Sequence, residues 1–269
     1  MRFRRLGWAG VEIEQDGEKL VIDHLKSFGA YEFFLGPEDD RDTLVGLEPG
    51  SVSIALVTHL HRDHTDPDGL ALALGDDGLV LRPPTVEFES PLQQVAALPT
   101  ERELEETGLR THVMTAGARY EHGPFEIHAT FASDGLGAPQ VGWIIKTAEG
   151  TVFHNGDTLW HGAWWDIAAQ HGPIDVAFLP ANGVVTLFPP QDPPADEPAD
   201  LTPAQALAAA RALKAGVLVP IHFNRTFEDE RFYRPMHGAR TELESAAGDL
   251  PLLFPEIGEW LDVPQLATA

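Results

Sequence analysis

Residues 11–23, VEIEQDGEKLVID, alternate apolar and polar side chains on both sides of Asp16-Gly17, which predicts two antiparallel strands joined by a tight turn. Further strand-like runs follow: SVSIALVT (51–58), LVLRPP (79–84), THVMT (111–115), FEIHATFAS (125–133), VGWIIKT (141–147), GTVFHNG (150–156), DVAFLP (175–180) and VLVPIHF (217–223). Between them lie helix signals. Asp66-Pro67 reads as a cap with Pro at the first helical position, opening a short helix to Leu74. TERELEETGL predicts a helix capped by Thr100 and stopped by Gly108, and HGAWWDIAAQHG a second one. LTPAQALAAARALKAG predicts a third, with Thr202 as cap, Pro203 in the first turn and Gly216 as stop. Strands in two sets, with helices between and after them, indicate a layered α/β domain.

Residues 188–200, FPPQDPPADEPAD, read as an extended Pro- and acid-rich surface loop and not as a linker, so residues 1–269 are taken as one domain. A chain of this length buries a substantial core. No run approaches the ~20 apolar residues of a membrane span. Acidic residues interrupt the Arg-rich start before any signal-peptide core develops, and with no cysteine in the chain a cytoplasmic protein is the expectation.

Charge narrows the partners. Forty-two acidic against eighteen basic residues give a formal net charge of −24. Such a surface repels phosphate backbones and anionic membranes, which leaves a small-molecule substrate and excludes neither a monomer nor a homo-oligomer.

The chemistry concentrates in VTHLHRDHTD (57–66), where His59, His61, Asp63 and His64 follow an apolar run and precede the Asp66-capped helix. Imidazole and carboxylate donors at this spacing suit Zn, Fe or Mn, and alternate residues can diverge to two ions. Further donors are expected where other strands end, because ligands converge at one sheet edge. Asp134, Asp157 and His222 each meet that condition. His128, in mid-strand, is expected to pack or hydrogen-bond instead, and His154 to be either a satisfied buried histidine or a support for the metal ligands.

Together, His59-x-His61-x-Asp63-His64, Gly156-Asp157-Thr158 and Pro220-Ile221-His222 resemble the metallo-β-lactamase-fold hydrolases, across nearly the whole chain and including the N-terminal hairpin ending in Asp23. The resemblance implies a four-layer αββα sandwich. It also implies two divalent ions, one held by His59, His61 and Asp134, the other by Asp63, His64 and His222, with Asp157 bridging. An aspartate at 134, where many members carry histidine, is closer to the ascorbate-6-phosphate lactonase-like branch. Three carboxylates and a bridging hydroxide would then neutralise the two ions, and the added oxygen donor shifts preference toward Mn or Fe while leaving Zn open.

The implied activity is attack by a metal-bridging hydroxide on a small ester, lactone or related bond, with Asp63 and Asp157 as the catalytic carboxylates. A small-molecule phosphodiesterase of the same fold and a non-enzymatic metal-binding module are the alternatives. Candidate substrate contacts are His161, which follows Asp157 closely beside Trp160, Trp164 and Trp165, then Asn182 at the end of DVAFLP, and Arg225 after His222.

Overall fold

In the computed structural model the alternating segment folds as the predicted hairpin, β2 (Gly10–Gln15) against β3 (Glu18–Ile22). Asp16 and Gly17 both take positive φ at its turn, which lets the turn follow the strands' twist. The structure describes residues 1–35, 43–75, 78–223, 229–234 and 239–263.

The hairpin sits inside a seven-stranded mixed sheet. Its other members are β1 (Arg2–Gly7), β4 (Ile54–Leu56), β5 (Leu79–Arg82), β6 (Arg110–Val113) and β13 (Leu261–Asp262), in the order β13-β1-β2-β3-β4-β5-β6. A six-stranded sheet faces it in the order β12-β11-β10-β9-β8-β7. Its strands are β7 (Arg119–His122), β8 (Phe125–Phe131), β9 (Val141–Thr147), β10 (Gly150–His154), β11 (Val176–Pro180) and β12 (Val217–Ile221).

Strand parity sorts the apolar side chains into three layers. Ile54 and Leu56 of β4, Trp143 and Ile145 of β9, and Val176 and Phe178 of β11 point between the sheets and form the main core. The alternate residues Ala55 and Val57 face the outer helices α2 (Pro67–Leu74) and α4 (Leu98–Glu106), against Leu70, Ala73 and Leu104. Ile144, Ala177 and Leu179 face α5 (Trp164–His171), α6 (Pro203–Leu213) and α7 (Ala239–Ala246) on the other side. Apolar runs without alternation are what strands covered on both faces require. The result is the expected αββα sandwich, completed by the short helices α1 (Glu32–Leu35) and α3 (Gln93–Ala96). No helix of the described residues is long and apolar enough to cross a membrane.

Local details differ from the sequence expectations. Strand β4 stops at Leu56 instead of Thr58, because the Thr58 amide donates to the Asp23 carboxylate at 2.8 Å instead of to a neighbouring strand. Helix α4 begins at Leu98 with Pro99 in its first turn, so Thr100 is an interior, buried residue and not the cap. Helix α6 has the predicted Thr202 cap, with Gln205 completing a capping box, but Lys214 in the left-handed conformation ends it ahead of Gly216. The 188–200 segment is not all surface: Ala199 and Asp200 are buried.

Candidate metal centre

Donor side chains reach one edge of the sandwich from both sheets. The loop after β4 carries His59, His61, Asp63 and His64, while Asp134 follows β8, Asp157 follows β10 and His222 follows β12. Two glycines permit the approach. Gly156 has φ +56°, and a Cβ there would lie 2.6 Å from Thr58 Oγ1, so only glycine lets the Asp157 turn close on the histidine loop. A Cβ on Gly135 would lie 2.1 Å from the Ala199 carbonyl oxygen, which is how the end of the acidic loop docks against the Asp134 turn.

The seven predicted donors come together in two groups. His59, His61, Asp134 and Asp157 offer donor atoms within 4.8 Å of one another, as do Asp63, His64 and His222, and all seven residues are buried. Asp157 lies between them, its Oδ2 3.9 Å from His59 Nε2 and 4.0 Å from His222 Nε2. His59 and His61 both lie beyond the end of β4, and the loop itself brings them into the cluster.

A second layer of partners aims the imidazoles. Asp23 Oδ2 lies 2.8 Å from His64 Nδ1 and accepts the Thr58 hydroxyl at 2.7 Å, while Thr58 Oγ1 is 3.1 Å from His59 Nδ1. One buried carboxylate thus fixes two ring orientations, directly and through a hydroxyl. Asp200 Oδ2 lies in ion-pair contact with His222, 2.8 Å from Nδ1, while its other oxygen accepts the Gly183 amide. Asp134 is anchored through Oδ2 by the Ala138 amide, leaving Oδ1 toward the cluster. Trp8 donates Nε1 to Asp63 Oδ2 at 3.3 Å and stacks at a tilt 4.0 Å from the His222 ring.

The donor set fits bound cations on a structural observation. Nε2 of His59, His61 and His64, Oδ1 of Asp134 and Oδ1 of Asp157 are buried without hydrogen-bond partners. Buried polar atoms are seldom left orphaned, and a cluster of orphans converging on one place is what metal ligands look like before the ion is counted. The electrostatics agree. Burial raises the Asp157 carboxyl well above its ordinary range, and the carboxylates of Asp200, Asp134 and Asp63 add to this against the opposing His222. Burial also lowers His59, helped by the neighbouring imidazoles of His64, His61 and His222. For His222, burial pulls the pKa down but is outweighed by Asp157, Asp200 and Asp63, so the net shift is upward. For Asp63, burial pushes up but His64, His222 and His61 hold the carboxyl well below the usual range. Like charges crowded in a buried site are stabilised by divalent cations.

The remaining predicted contacts fall elsewhere. His161 stacks on Trp164 with centroids 3.9 Å apart, its Nε2 3.3 Å from Asn155 Nδ2 and its Nδ1 accepting from the Ala163 amide. Burial lowers its pKa to about 4. Trp164 belongs to the helical core, and Trp160 and Trp165 are exposed. Asn182 Nδ2 lies 3.1 Å from His222 Nδ1 and its Oδ1 accepts from Val184, so it buttresses the cluster from behind. Arg225 lies outside the described residues. His128 bonds Glu126 at 2.7 Å, and His154 is a satisfied buried histidine, bonded to the Ala9 carbonyl and the Gly156 amide. Sequence reasoning missed the roles of Asp23, Thr58, Asp200 and Trp8; only Asp23, a polar residue directly after an apolar strand, carried the positional signal used for the ligands.

The cluster opens into a small cavity of about 30 Å³, walled by His61, Asp63, Asp157 and His222 together with Tyr31, Phe188 and Tyr233. Burial keeps the Tyr31 phenol protonated, and nearby Asp63, Tyr233, Asp134 and Asp157 reinforce this.

Residues 23–223 match the family described as a beta-lactamase superfamily domain. The chain belongs to this family. It is 30% identical over 239 residues to a UPF0173 metal-dependent hydrolase of Geobacillus sp. (strain WCH70), covering 83% of this chain and 86% of that one. A namesake from Pyrococcus horikoshii is 29% identical over 236 residues, with 83% and 85% covered. Among solved structures, the metallo hydrolase Igni18 of Ignicoccus hospitalis superposes with a TM-score of 0.60 at 20% identity, over 97% of both chains, a likeness of fold. The chain is therefore a metal-dependent hydrolase of the metallo-β-lactamase fold, with candidate metal-binding residues in the two groups above.

Proposed function

We propose that this protein hydrolyses a small ester, lactone or related carbonyl compound at a dinuclear centre. His59, His61 and Asp134 would hold one ion, Asp63, His64 and His222 the other, with Asp157 between them. The observation that carries the reading is the convergence of orphaned buried imidazole and carboxylate atoms beside a cavity with the Tyr31 side chain in its wall. When bound, divalent ions supply Lewis acidity, which makes water nucleophilic at neutral pH and polarises a scissile carbonyl.

The chain's own residues do the rest. Asp63, kept ionised by its imidazole neighbours, stands on the cavity wall as acceptor for the proton of the attacking water. Tyr31, kept protonated, is the donor facing the substrate oxygen or the departing group. Asp23, Thr58 and Asp200 hold the imidazoles in register, so the donors need no rearrangement on binding. The aspartate at 134 supports the lactonase-like resemblance in the type of bond attacked and favours Mn or Fe alongside Zn.

The phosphodiesterase alternative uses the same donors, so the test runs both chemistries. Wild type loaded with Mn or Zn is expected to turn over simple lactones and esters faster than bis-p-nitrophenyl phosphate. Asp157→Ala should lose at least about a hundredfold in kcat/KM and bind less metal. Full activity and metal content in that variant would sink the scheme.

A further inference from the structure

The cavity over the metal donors, about 30 Å³, has room for a reacting group and little else. The rest of a substrate must leave it by some route. Tyr31 and Phe188 are shared walls between it and a second cavity of about 250 Å³. That second cavity is almost purely apolar: Phe34, Val95, Ala96 and Phe232 complete the wall that Tyr31 and Phe188 begin. Its aromatic side is built as a cluster, with Phe34 4.9 Å from Phe232 and 5.4 Å from Phe188 between ring centroids. Phe33 is 64% exposed and Val95 57% exposed at its rim, a concentration of solvent-facing apolar surface that core packing does not require. Among the described residues lining either cavity there is no Lys or Arg. The nearby Arg231 guanidinium, over the Phe33 and Phe232 rings, is already bonded through Nε and a terminal nitrogen to Asp229, so a charged arm seated among these apolar walls would be desolvated at high cost.

We infer that the substrate carries an uncharged apolar arm, an aryl or branched alkyl group, that lies in this aromatic cavity while its carbonyl sits over the metal donors. A dry cavity of ~150 Å³ is enough to hold a benzene ring, so this one takes a ring with a short alkyl spacer. The inference deepens the hydrolase reading and rests on it for the position of the carbonyl. The arm's chemistry follows from the second cavity alone.

The test uses product-like carboxylates with and without the arm, acetate and 4-phenylbutyrate, titrated calorimetrically into metal-loaded protein. The expected result is 4-phenylbutyrate binding on the order of 30- to 100-fold tighter than acetate, the return on burying a phenyl group. Two variants at exposed wall positions report on the cavity without touching the donors. Val95→Trp fills it and should abolish the difference, with acetate binding unchanged. Phe33→Ser removes part of the rim and should reduce the difference several-fold. Equal affinity for the two carboxylates in wild type, or an undiminished difference in Val95→Trp of unchanged melting temperature, would overturn the proposal. Hydrolysis of methyl acetate and methyl 4-phenylbutyrate, followed by proton release, separates the two layers of the argument. If 4-phenylbutyrate binds as expected but neither ester is cleaved, the ester reading fails and the apolar subsite stands. Equal kcat/KM for both esters would remove the subsite and leave the hydrolase.

Discussion

Buried titratable groups in this protein divide into those that face the metal donors and those that do not, and the second kind has consequences of its own. His24 follows Asp23 directly, is almost fully buried, and is held down to about 4 by burial, with Asp66 opposing weakly. In the unfolded chain the same imidazole titrates near ~6.5. As pH falls the unfolded state takes up the proton first, so His24 contributes its full stability above pH ~6.5 and loses it on the way down to about 4. Between pH 7 and 5 the loss amounts to about 2 kcal/mol. Urea unfolding of metal-free wild type and His24→Gln at both pH values checks this: wild type should lose that much more than the variant, and parallel losses would refute it. The ligands were legible in the sequence for a simple reason. His59, Asp134, Asp157 and His222 each stand just beyond an apolar run, and a donor ejected from a strand end is visible without coordinates. Asp200 was not, because nothing local separates it from Asp192, Asp196 and Glu197 in the same acidic run. Its function comes from a contact with His222, across the fold. Trp8 and Thr58 were hidden likewise.

At the level of elements, the sequence was clearest where local chemistry and tertiary packing ask for the same thing. Asp66 caps α2 by accepting from the Gly69 amide at 3.0 Å, and its other oxygen accepts from the Lys26 amide at 2.9 Å. The one side chain therefore closes the metal-binding loop and ties it to the segment after β3. Replacing such a cap by Ala costs about 1–2 kcal/mol, and the second hydrogen bond places Asp66→Ala at the upper end of that range. Asp66→Asn, which keeps one acceptor, should recover about half of the loss. Denaturant midpoints of the three proteins decide it, and an Ala variant as stable as wild type would contradict the capping assignment. Elements whose stability comes from partners were not visible. In β1 three arginines obscure the strand pattern, and only the paired sheet shows Arg2 and Arg4 answered across the strand by Glu14 and Glu12. The two-residue β13 exists as the far edge of that pairing. Thr100 misled because a threonine before an acidic run resembles a cap, whereas the chain had already turned helical in α3.

On the scale of the molecule, the candidate centre is a junction between the two sheets. His59, His61, Asp63 and His64 hang from the seven-stranded sheet, and Asp134, Asp157 and His222 from the six-stranded one. Both donor groups built from the seven ligands draw on the two sheets together, so metal binding selects the closed sandwich over the unfolded chain and stabilises the whole of it. At free metal a thousandfold above its dissociation constant this linkage is worth about 4 kcal/mol per ion, which for a domain of this size is a rise on the order of 10 °C in melting temperature. The sign with pH is set by the imidazoles, which ligate only when neutral. Burial already keeps His59 neutral, whereas the carboxylates beside His222 favour its protonated form. Metal must displace that proton, so the stabilisation is largest at alkaline pH and shrinks as pH falls. Calorimetric scans of chelator-stripped protein, then of the same protein with Mn or Zn restored, are expected to show one cooperative transition that moves up with metal at pH 8 and moves less at pH 6. A melting temperature indifferent to metal at both pH values would mean that the orphaned donors are not bridged by ions, and the account of their convergence would have to be abandoned.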